Sequence, residues 1–501
     1  MNGLLAAKGL DLRTIALFLF PFILWTSVWG GLDSGLAHRL FQWDGAVTFI
    51  QRLRSTAPLW AASCSIIVIG WNVWRKNSGG FQFFSPLSLV FVYGLTGVIS
   101  SLAFSTRLEV SLYWSAAYIS LPLVLWGVTW GPNALKLVER IIDMNWMVVL
   151  VITFILFFIG LVWVDLWDEL WRPNAWFECN LYSTWFKDTS DTLRPTMVGR
   201  FAAVSGLVAM SQVWRGNHRV IWVIWVVIFV AAVLLLFTSG ARTSIVGFGA
   251  GAILISFFYT GKKGFVYGAI ILAVTVPVLW LTDFGNTLVD SCFASRVVNA
   301  VPVQEAAVPV QEAAVPVQEA AVPVQEAAVP VQEAVPPADS DVSAEAASDV
   351  SSRTGESIFS KMPILTMTGR AFVWGDALYL IAERPILGYG FHADRIVLRE
   401  HMHNTYLHAL IQTGILGTIP LLGGLLLTWV LFVRAALRSS RLTEHHRHTV
   451  ILIGGILALF SLRTIPESTG AIFGVDWILL APLLLYLELV SRNETAGTEM
   501  K

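Results

Sequence analysis

The chain has 501 residues, of which 55% are hydrophobic and only 13% carry a charge. Soluble domains usually contain about 25% charged residues, so the composition excludes an ordinary soluble protein and indicates a polytopic membrane protein. The formal net charge is −1. This near-neutral balance argues neither for nor against a nucleic-acid partner, and we expect none.

Apolar runs of about 20 residues, the length that crosses a bilayer, recur along the chain. We count about twelve, near 14–31, 57–74, 85–104, 110–130, 146–166, 196–214, 219–238, 243–260, 264–282, 404–433, 449–465 and 471–490. The first run lacks a small-residue cleavage site, so we interpret it as a retained anchor. The sequence therefore predicts an all-α polytopic membrane protein with about twelve transmembrane helices.

Lysine and arginine are concentrated in alternate loops, which predicts the orientation of the chain. The positive-inside rule places both termini in the cytoplasm and the two long loops on the outer face. We divide the chain into N-terminal helices with an outer loop (1–195), further membrane helices (196–282), a large outer loop (283–403) and C-terminal helices (404–501). In a bacterium this outer loop would be periplasmic.

The large outer loop contains a repeat of seven residues that begins at 301–307 (VPVQEAA). A proline in each repeat excludes a coiled coil, so we interpret 301–356 as a disordered or extended insert, either a spacer or a binding segment. Over 368–400, apolar residues at helical spacing predict an amphipathic helix that ends at Arg384 and leads into a glycine-broken turn.

Cysteine usage gives little information about function. The chain has no C-x-x-C motif, which argues against a zinc site of that type. Cys179 and Cys292 fall in the two predicted outer loops, where either a disulfide or two free thiols is possible. Cys64 lies inside an apolar run.

A histidine-rich stretch, 401–408 (HMHNTYLH), runs directly into a long apolar helix that we expect to continue unbroken to about Leu431. Ionisable groups at the mouth of a membrane helix are costly, so they indicate a functional site. A neutral histidine such as His403 suits a general base near pH 7. Asn404 either caps the helix or contacts a substrate. Because His403 and His408 do not share a helical face, and we find no nearby carboxylate spaced to join them, we expect no metal and interpret His408 as a hydrogen-bonded core residue.

Several arginines lie near predicted outer ends of helices. Arg242 occupies a short turn, where a helix start and a guanidinium together favour an anion, although snorkelling to lipid headgroups is the alternative. Arg194 and Arg200 precede or begin the next membrane run and serve either as ligand contacts or as interfacial anchors. Arg463 and Glu467 form either a local ion pair or a flank of the acceptor cleft.

Three blocks of this sequence resemble the O-antigen ligase and polymerase superfamily of membrane glycosyltransferases. They are 239–244 (SGARTS), Gly369-Arg370 with Trp374 and 384–390 (RPILGYG), and His403-Asn404 followed by 414–417 (GILG). The resemblance covers about 194–433. We expect Gly414 and Gly417 to permit close packing of helices.

The resemblance implies a GT-C-like fold in the bacterial inner membrane, with an active site facing the periplasm. It implies transfer of a glycan from an undecaprenyl pyrophosphate donor to a lipid A–core hydroxyl, with inversion and without a metal cofactor. His403 matches the catalytic histidine of the family, and Arg242 and Arg370 match its pyrophosphate-binding arginines. Further possible substrate contacts are Asn404, Arg194, Arg200, His401 and Glu467.

Other functions remain open on the sequence. A polysaccharide polymerase acting on the same lipid carrier, or a protein O-oligosaccharyltransferase, would share the donor chemistry and differ in the acceptor. A flippase or other transporter fits the number of helices, but it should carry polar or broken segments near mid-membrane in both halves. Here the polar groups gather at the predicted outer ends of helices.

Overall fold

The computed structural model describes residues 23–28, 46–75, 84–130, 133–162, 195–216, 219–239, 241–261, 263, 264, 266 and 370–495. All regular secondary structure within these ranges is helical. Several predicted features lie outside the described residues: Arg194, the Cys179 and Cys292 thiols, and the insert at 301–356.

The α-helices of the described residues overlap the predicted runs in these ranges, although the helices that begin at Ala46 and Ala134 start 11 and 12 residues before the runs predicted near 57–74 and 146–166. They are α1 (Ala46–Trp74), α2 (Pro86–Phe104), α3 (Leu108–Thr129), α4 (Ala134–Val162), α5 (Pro195–Arg215), α6 (Arg219–Thr238), α7 (Arg242–Thr260), α8 (Arg370–Glu383), α9 (Ala393–Ile396), α10 (Thr405–Leu437), α11 (Glu444–Arg463) and α12 (Val475–Thr495). The amphipathic helix predicted to begin near 368 and to end at Arg384 thus corresponds to α8.

Seven of these helices contain a segment long and apolar enough to cross a membrane. The segments are Leu53–Trp74, Pro86–Phe104, Leu108–Thr129, Ala134–Phe158, Arg219–Thr238, Arg242–Thr260 and Thr405–Leu437. The protein is therefore a multi-pass membrane protein. The predicted total of about twelve spans stays a prediction, because the runs near 14–31 and 264–282 extend outside the described residues and α5, α11 and α12 are less apolar.

Helices α11 and α12 lie at the centre of the helix bundle. Most of their side chains are buried, including Trp477 and Tyr486, which are 1% and 0% exposed. In contrast, α6 exposes large apolar side chains such as Val220 and Val227, as expected of a lipid-facing helix. A central position lets α12 carry Asp476 and Glu488, because these carboxylates meet protein groups rather than lipid.

Helices α7 and α11 approach closely through glycines. A Cβ at Gly251 would lie 2.5 Å from the Gly455 carbonyl oxygen, and one at Gly247 would lie 2.6 Å from Leu459. Small residues at such positions let two backbones pack against each other. The packing brings the start of α7 to the end of α11, where the Arg463 guanidinium donates to Ser244 Oγ.

The expected unbroken helix after His403 is wrong at one position. Gly414 has φ 58° and ψ −162°, which interrupts α10 after its first turns. The interruption leaves main-chain groups that the segment 385–390 satisfies. Tyr389 and Gly390 donate to the carbonyls of Ile411 and Gln412, both at 2.8 Å, and the N–H groups on the far side of the break donate back to that segment.

We expected Gly414 to permit close packing of two helices. It instead permits close approach of the segment 385–390. A Cβ at this position would lie 2.3 Å from the Ile386 carbonyl carbon, so only glycine admits the segment 385–390. The two motifs 384–390 and 414–417, which are distant in sequence, form one structural unit.

The same segment is fixed on its other side by α2. The Phe391 N–H donates to Ser101 Oγ at 3.3 Å, and the Phe391 ring leaves no space for a side chain at Gly97, where a Cβ would lie 2.1 Å from it. Because both sides are held, the residues that follow, His392 to His403, begin from a defined position beside α2 and α10.

Candidate active site

His403 and Glu467 face each other at one end of the bundle. His403 Nδ1 lies 3.3 Å from Glu467 Oε2. The Glu467 side chain is 9% exposed, whereas that of His403 is 30% exposed. Since an ionised carboxylate can only accept a hydrogen bond, Nδ1 carries the proton and Nε2 is left as the basic nitrogen. The pair has the arrangement of a histidine base oriented by a carboxylate.

The backbone holds His403 in a strained conformation. Its φ is 46°, in the left-handed region that residues with a side chain rarely adopt. Two hydrogen bonds flank it. Trp374 Nε1 donates to the Met402 carbonyl at 2.8 Å, and the Thr405 N–H donates to the Thr464 carbonyl at 2.9 Å. Such strain persists only where the surroundings enforce it, and it is concentrated at functional sites.

Asn404 caps α10. Its side-chain oxygen accepts from the N–H groups of Tyr406 and Leu407, at 3.0 and 2.9 Å, and its amide donates to the Ile465 carbonyl at 2.9 Å. The capping interpretation is confirmed. The same contacts tie the start of α10 to the segment that carries Glu467.

Asp394, His401 and His408 form a second polar group beside His403. His401 Nδ1 lies 2.9 Å from Asp394 Oδ2, and His408 Nδ1 lies 3.4 Å from the same oxygen. Burial raises the pKa of the Asp394 carboxyl, but His408 and the hydrogen bond from His401 outweigh it, and the pKa stays below its usual value. Asp394 is therefore an ionised, fully buried acceptor. His408 is 1% exposed and also lies 3.2 Å from Ser468 Oγ, which confirms it as a hydrogen-bonded core residue.

This group corrects the argument that no carboxylate can join the histidines. Asp394 does so because the short α9 folds its side chain back onto α10. The ligand atoms of Asp394, His401 and His408 lie within 4.8 Å of one another, and one carboxylate with two histidines is a ligand set for zinc or iron. Within this group, Asp394 Oδ2 accepts a hydrogen bond from His401.

Arg200 and Arg463 are held by Asp476. Arg200 Nε lies 2.9 Å from Asp476 Oδ1, and Arg463 Nη2 lies 4.0 Å from Oδ2. The sequence offered Arg463 and Glu467 as a local ion pair. The helix ends at Arg463, and the following turn directs Glu467 to His403 instead. Arg200 is thus a structural ion-pair partner at the site end of α5.

Arg242 lies at the first position of α7, as expected, and its side chain is exposed. Its turn packs tightly on α5, because a Cβ at Gly199 would lie 2.3 Å from Ala241 Cβ. The turn is thus next to Arg200 and, through Ser244, to Arg463. Arg370 is the first residue of α8. Its side chain lies outside the described residues.

Sequence reasoning missed two carboxylates, Asp394 and Asp476. Asp476 is the second residue of α12 and lies inside an apolar run. This position was the only sequence signal that the carboxylate needs a partner. Asp394 follows His392 in the segment that leads to His401, but its spacing from the histidines matches no regular helix. Only the fold of that segment brings it to them.

The fold and the site define a multi-pass membrane protein with a buried histidine and carboxylate centre at one end of its bundle. Residues 227–422 match the sequence profile of the family described as O-antigen ligase. The match spans α7, α8 and the first part of α10, including Arg242, His403 and Gly414. This match, which covers less than half of the chain, supports membership of the O-antigen ligase superfamily, whose members are membrane glycosyltransferase-like enzymes. No curated protein matches the chain.

Proposed function

We propose that this protein is an O-antigen ligase that transfers a glycan from an undecaprenyl pyrophosphate carrier to a hydroxyl of lipid A–core. The reaction takes place at the periplasmic face of the inner membrane. The observation that carries the proposal is the His403–Glu467 pair, with a partly exposed imidazole next to a largely buried carboxylate, in a chain whose residues 227–422 match the O-antigen ligase family.

The reaction needs a base for the acceptor hydroxyl. Nε2 of His403 accepts the hydroxyl proton while the acceptor oxygen attacks the anomeric carbon, and Glu467 stabilises the imidazolium that forms. The new glycosidic bond forms as the bond from the anomeric carbon to the pyrophosphate oxygen breaks. A single displacement of this kind inverts the anomeric centre, and it uses no metal.

The departing pyrophosphate carries the developing negative charge. Arginine side chains neutralise such charge through paired hydrogen bonds. Arg242 is exposed at the start of α7 and is the first candidate, together with Arg370 at the start of α8. Arg200 already has Asp476 as its partner, so we assign it to holding this end of the bundle in shape.

The test is lipopolysaccharide banding in a strain that lacks the protein, complemented with wild type or with His403→Ala. A ligase predicts rough lipopolysaccharide in the deletion, long polymer retained on its lipid carrier, and no rescue by His403→Ala. Core capped with a single repeat unit would instead identify a polymerase. Normal banding in the deletion strain would refute the proposal.

His446→Ala is the matched control, because His446 also contacts a carboxylate, Glu139, at 2.9 Å but lies at the other end of α11. It should rescue banding as wild type does. Rescue by neither variant would point to poor folding, which membrane-fraction immunoblots of both variants detect directly.

A further inference from the structure

A cavity of about 570 Å³ opens beside the candidate active site. Its described lining comes from the α2–α3 connection, the first turns of α3, the segment that contains α9, the first turns of α10, and the loop before α12. His401 is part of this lining, and its ring centroid lies 4.3 Å from that of His403. Neither Arg200 nor Arg242 is among the described lining residues. The cavity is therefore next to His403, and Arg242, the first candidate for the pyrophosphate, is not part of its described lining.

The cavity wall carries an excess of positive charge. Arg107, Arg395 and Arg399 line it, and all three side chains are exposed. None of them forms an ion pair with another described residue, in contrast to Arg200 and Arg463, which share Asp476. The lining carboxylate, Asp394, already accepts from His401 and from the Met402 N–H through Oδ2. Three arginines from two segments, converging on one cavity, suit an anionic group.

A buried acceptor also faces this lining. Asp394 is 0% exposed, and its Oδ1 has no hydrogen-bond partner among the described residues, although Oδ2 accepts from His401. A buried carboxylate oxygen without a donor is costly, at about 1–3 kcal/mol or more. A hydroxyl-bearing ligand would supply the donor.

An aromatic surface forms another part of the wall. The rings of Trp114 and His392 stack at 5.0 Å with an interplanar angle of 12°, and Phe391 and Phe473 line the same cavity. The stacked rings present a flat, partly apolar face to the cavity. Trp114 Nε1 is buried without an acceptor among the described residues. Flat rings with polar edges suit the mixed polar and apolar faces of a pyranose.

We infer that this cavity binds a sugar residue that carries a carboxylate or phosphate group, with the anion at the arginines, a hydroxyl at Asp394 and the ring against Trp114. The role of that sugar as part of the transferred glycan or of its acceptor rests on the proposed function. Its binding does not, because the cavity and its charges are present whatever reaction follows.

The test is ligand-observed saturation-transfer NMR with the full-length protein in detergent micelles. The probes are glucuronate, glucose 6-phosphate, glucose and inorganic phosphate. We expect signals from the two anionic sugars and none from glucose. Equal competition by inorganic phosphate alone would reduce the cavity to a general anion site and overturn the inference, as would equal binding of glucose.

The variant is Arg395→Gln with Arg399→Gln, which should weaken binding of both anionic sugars about tenfold or more. Arg107→Gln, on a different segment, should act in the same direction. Arg441→Gln, an exposed arginine outside the described lining, is the matched control and should bind as wild type. Unchanged binding in the first two variants, with unchanged thermal unfolding, would overturn the inference.

A transfer assay then identifies the source of the sugar. A raised KM for an acidic acceptor at constant donor KM places the acceptor in the cavity, and the reverse result places the donor glycan there. Loss of probe binding with an intact KM for both would refute a substrate role. Absence of any transfer by wild type would refute the proposed function and leave the NMR result standing.

Discussion

At each end of α11, a carboxylate contacts one or two histidines. Only one of the two ends has the features of a reaction site. At one end, His445 and His446 lie 3.5 and 2.9 Å from the same oxygen of Glu139. At the other, Glu467 holds His403. The two ends are about 27 Å apart along the helix, at a rise of about 1.5 Å per residue. Histidine next to a carboxylate is therefore not sufficient to define the site.

The difference lies in the backbone and in the space around the rings. Among the described residues, the non-glycine residues with positive φ are His392, Arg399 and His403, all in the segment before α10. This segment lines the 570 Å³ cavity. At the Glu139 end the histidines lie on the first turn of a regular helix. A reactive histidine needs one nitrogen held and the other open to a substrate, and the irregular segment provides both.

The largest difference in kcat is expected between substitutions of His403 and His446, one histidine from each end. His403→Ala should lower kcat for glycan transfer by about 10²- to 10⁴-fold, the usual contribution of a general base. His446→Ala should change kcat less than about twofold, because the Glu139 end has no part in the chemistry. Transfer by purified protein in micelles, followed by gel mobility of the acceptor, measures both. A comparable loss of kcat in His446→Ala would contradict the distinction between the two ends of α11.

The carboxylates give the second comparison. A hydrogen bond to a charged group contributes about 1.5–3 kcal/mol, so Glu467→Gln should lower kcat roughly 10- to 100-fold, with little change in KM. Glu139→Gln should leave kcat unchanged. If Glu467→Gln retained full activity, Glu467 would have only a structural role in holding the segment after α11.

The backbone difference is tested at Gly414. Gly414→Ala forces a side chain at φ 58° and brings its Cβ to 2.3 Å from the Ile386 carbonyl carbon. We expect a loss of stability of at least about 1–3 kcal/mol, measured as a lower melting temperature in detergent. Gly249→Ala is the control, since it lies inside α7 with no atom within 4 Å of the added methyl. It should be neutral or slightly stabilising. Equal melting of the two variants would contradict the role given to Gly414.

The smallest effect is a pH dependence at the Glu139 end. The hydrogen bond to Glu139 raises the pKa of His445 above its usual 6.5. The bond therefore stabilises the fold fully below about pH 6.5, and the stabilisation is lost as the pH rises through the folded-state pKa. As the pH rises from about 6 to 8, the melting temperature of the wild type should fall slightly more than that of His445→Gln. The effect is small because the His445 side chain is 49% exposed. An equal change in melting temperature with pH for the two proteins would contradict this prediction.

Much of this arrangement follows from the sequence. Apolar length located most of the long helices. The turn before Arg242 and the amphipathic α8 were predicted from local patterns, and the cap at Asn404 was one of two predicted roles for that residue. His403 and Glu467 were each named as candidates because both lie at predicted outer ends of helices. The pairing of the two was not foreseen, since the turn after Arg463, which local periodicity does not describe, brings Glu467 to His403.

The rest depends on contacts between segments far apart in the chain. The interruption at Gly414 exists because the segment 385–390 supplies replacement hydrogen bonds, and no hydrophobic pattern within α10 reveals it. Asp394 reaches His401 and His408 through an irregular segment with left-handed residues at both ends. Patterns of period 3.6 predict helices well, but they carry no information about such segments.

The junction at Gly414 also has a consequence for how this region tolerates change. Its hydrogen bonds join main-chain atoms only, and the side chains of Ile386, Ile415 and Leu416 point away, 67%, 49% and 53% exposed. The hydrogen bonds of the junction therefore do not depend on the side chains at those three positions, provided that Gly388 and Gly414 are retained. Among functional variants of both motifs, we expect the glycines to be retained. The neighbouring apolar residues should be replaceable by other residues that are compatible with lipid. An alignment would then show the motif as spaced glycines, which is a statement about backbone shape rather than about chemistry.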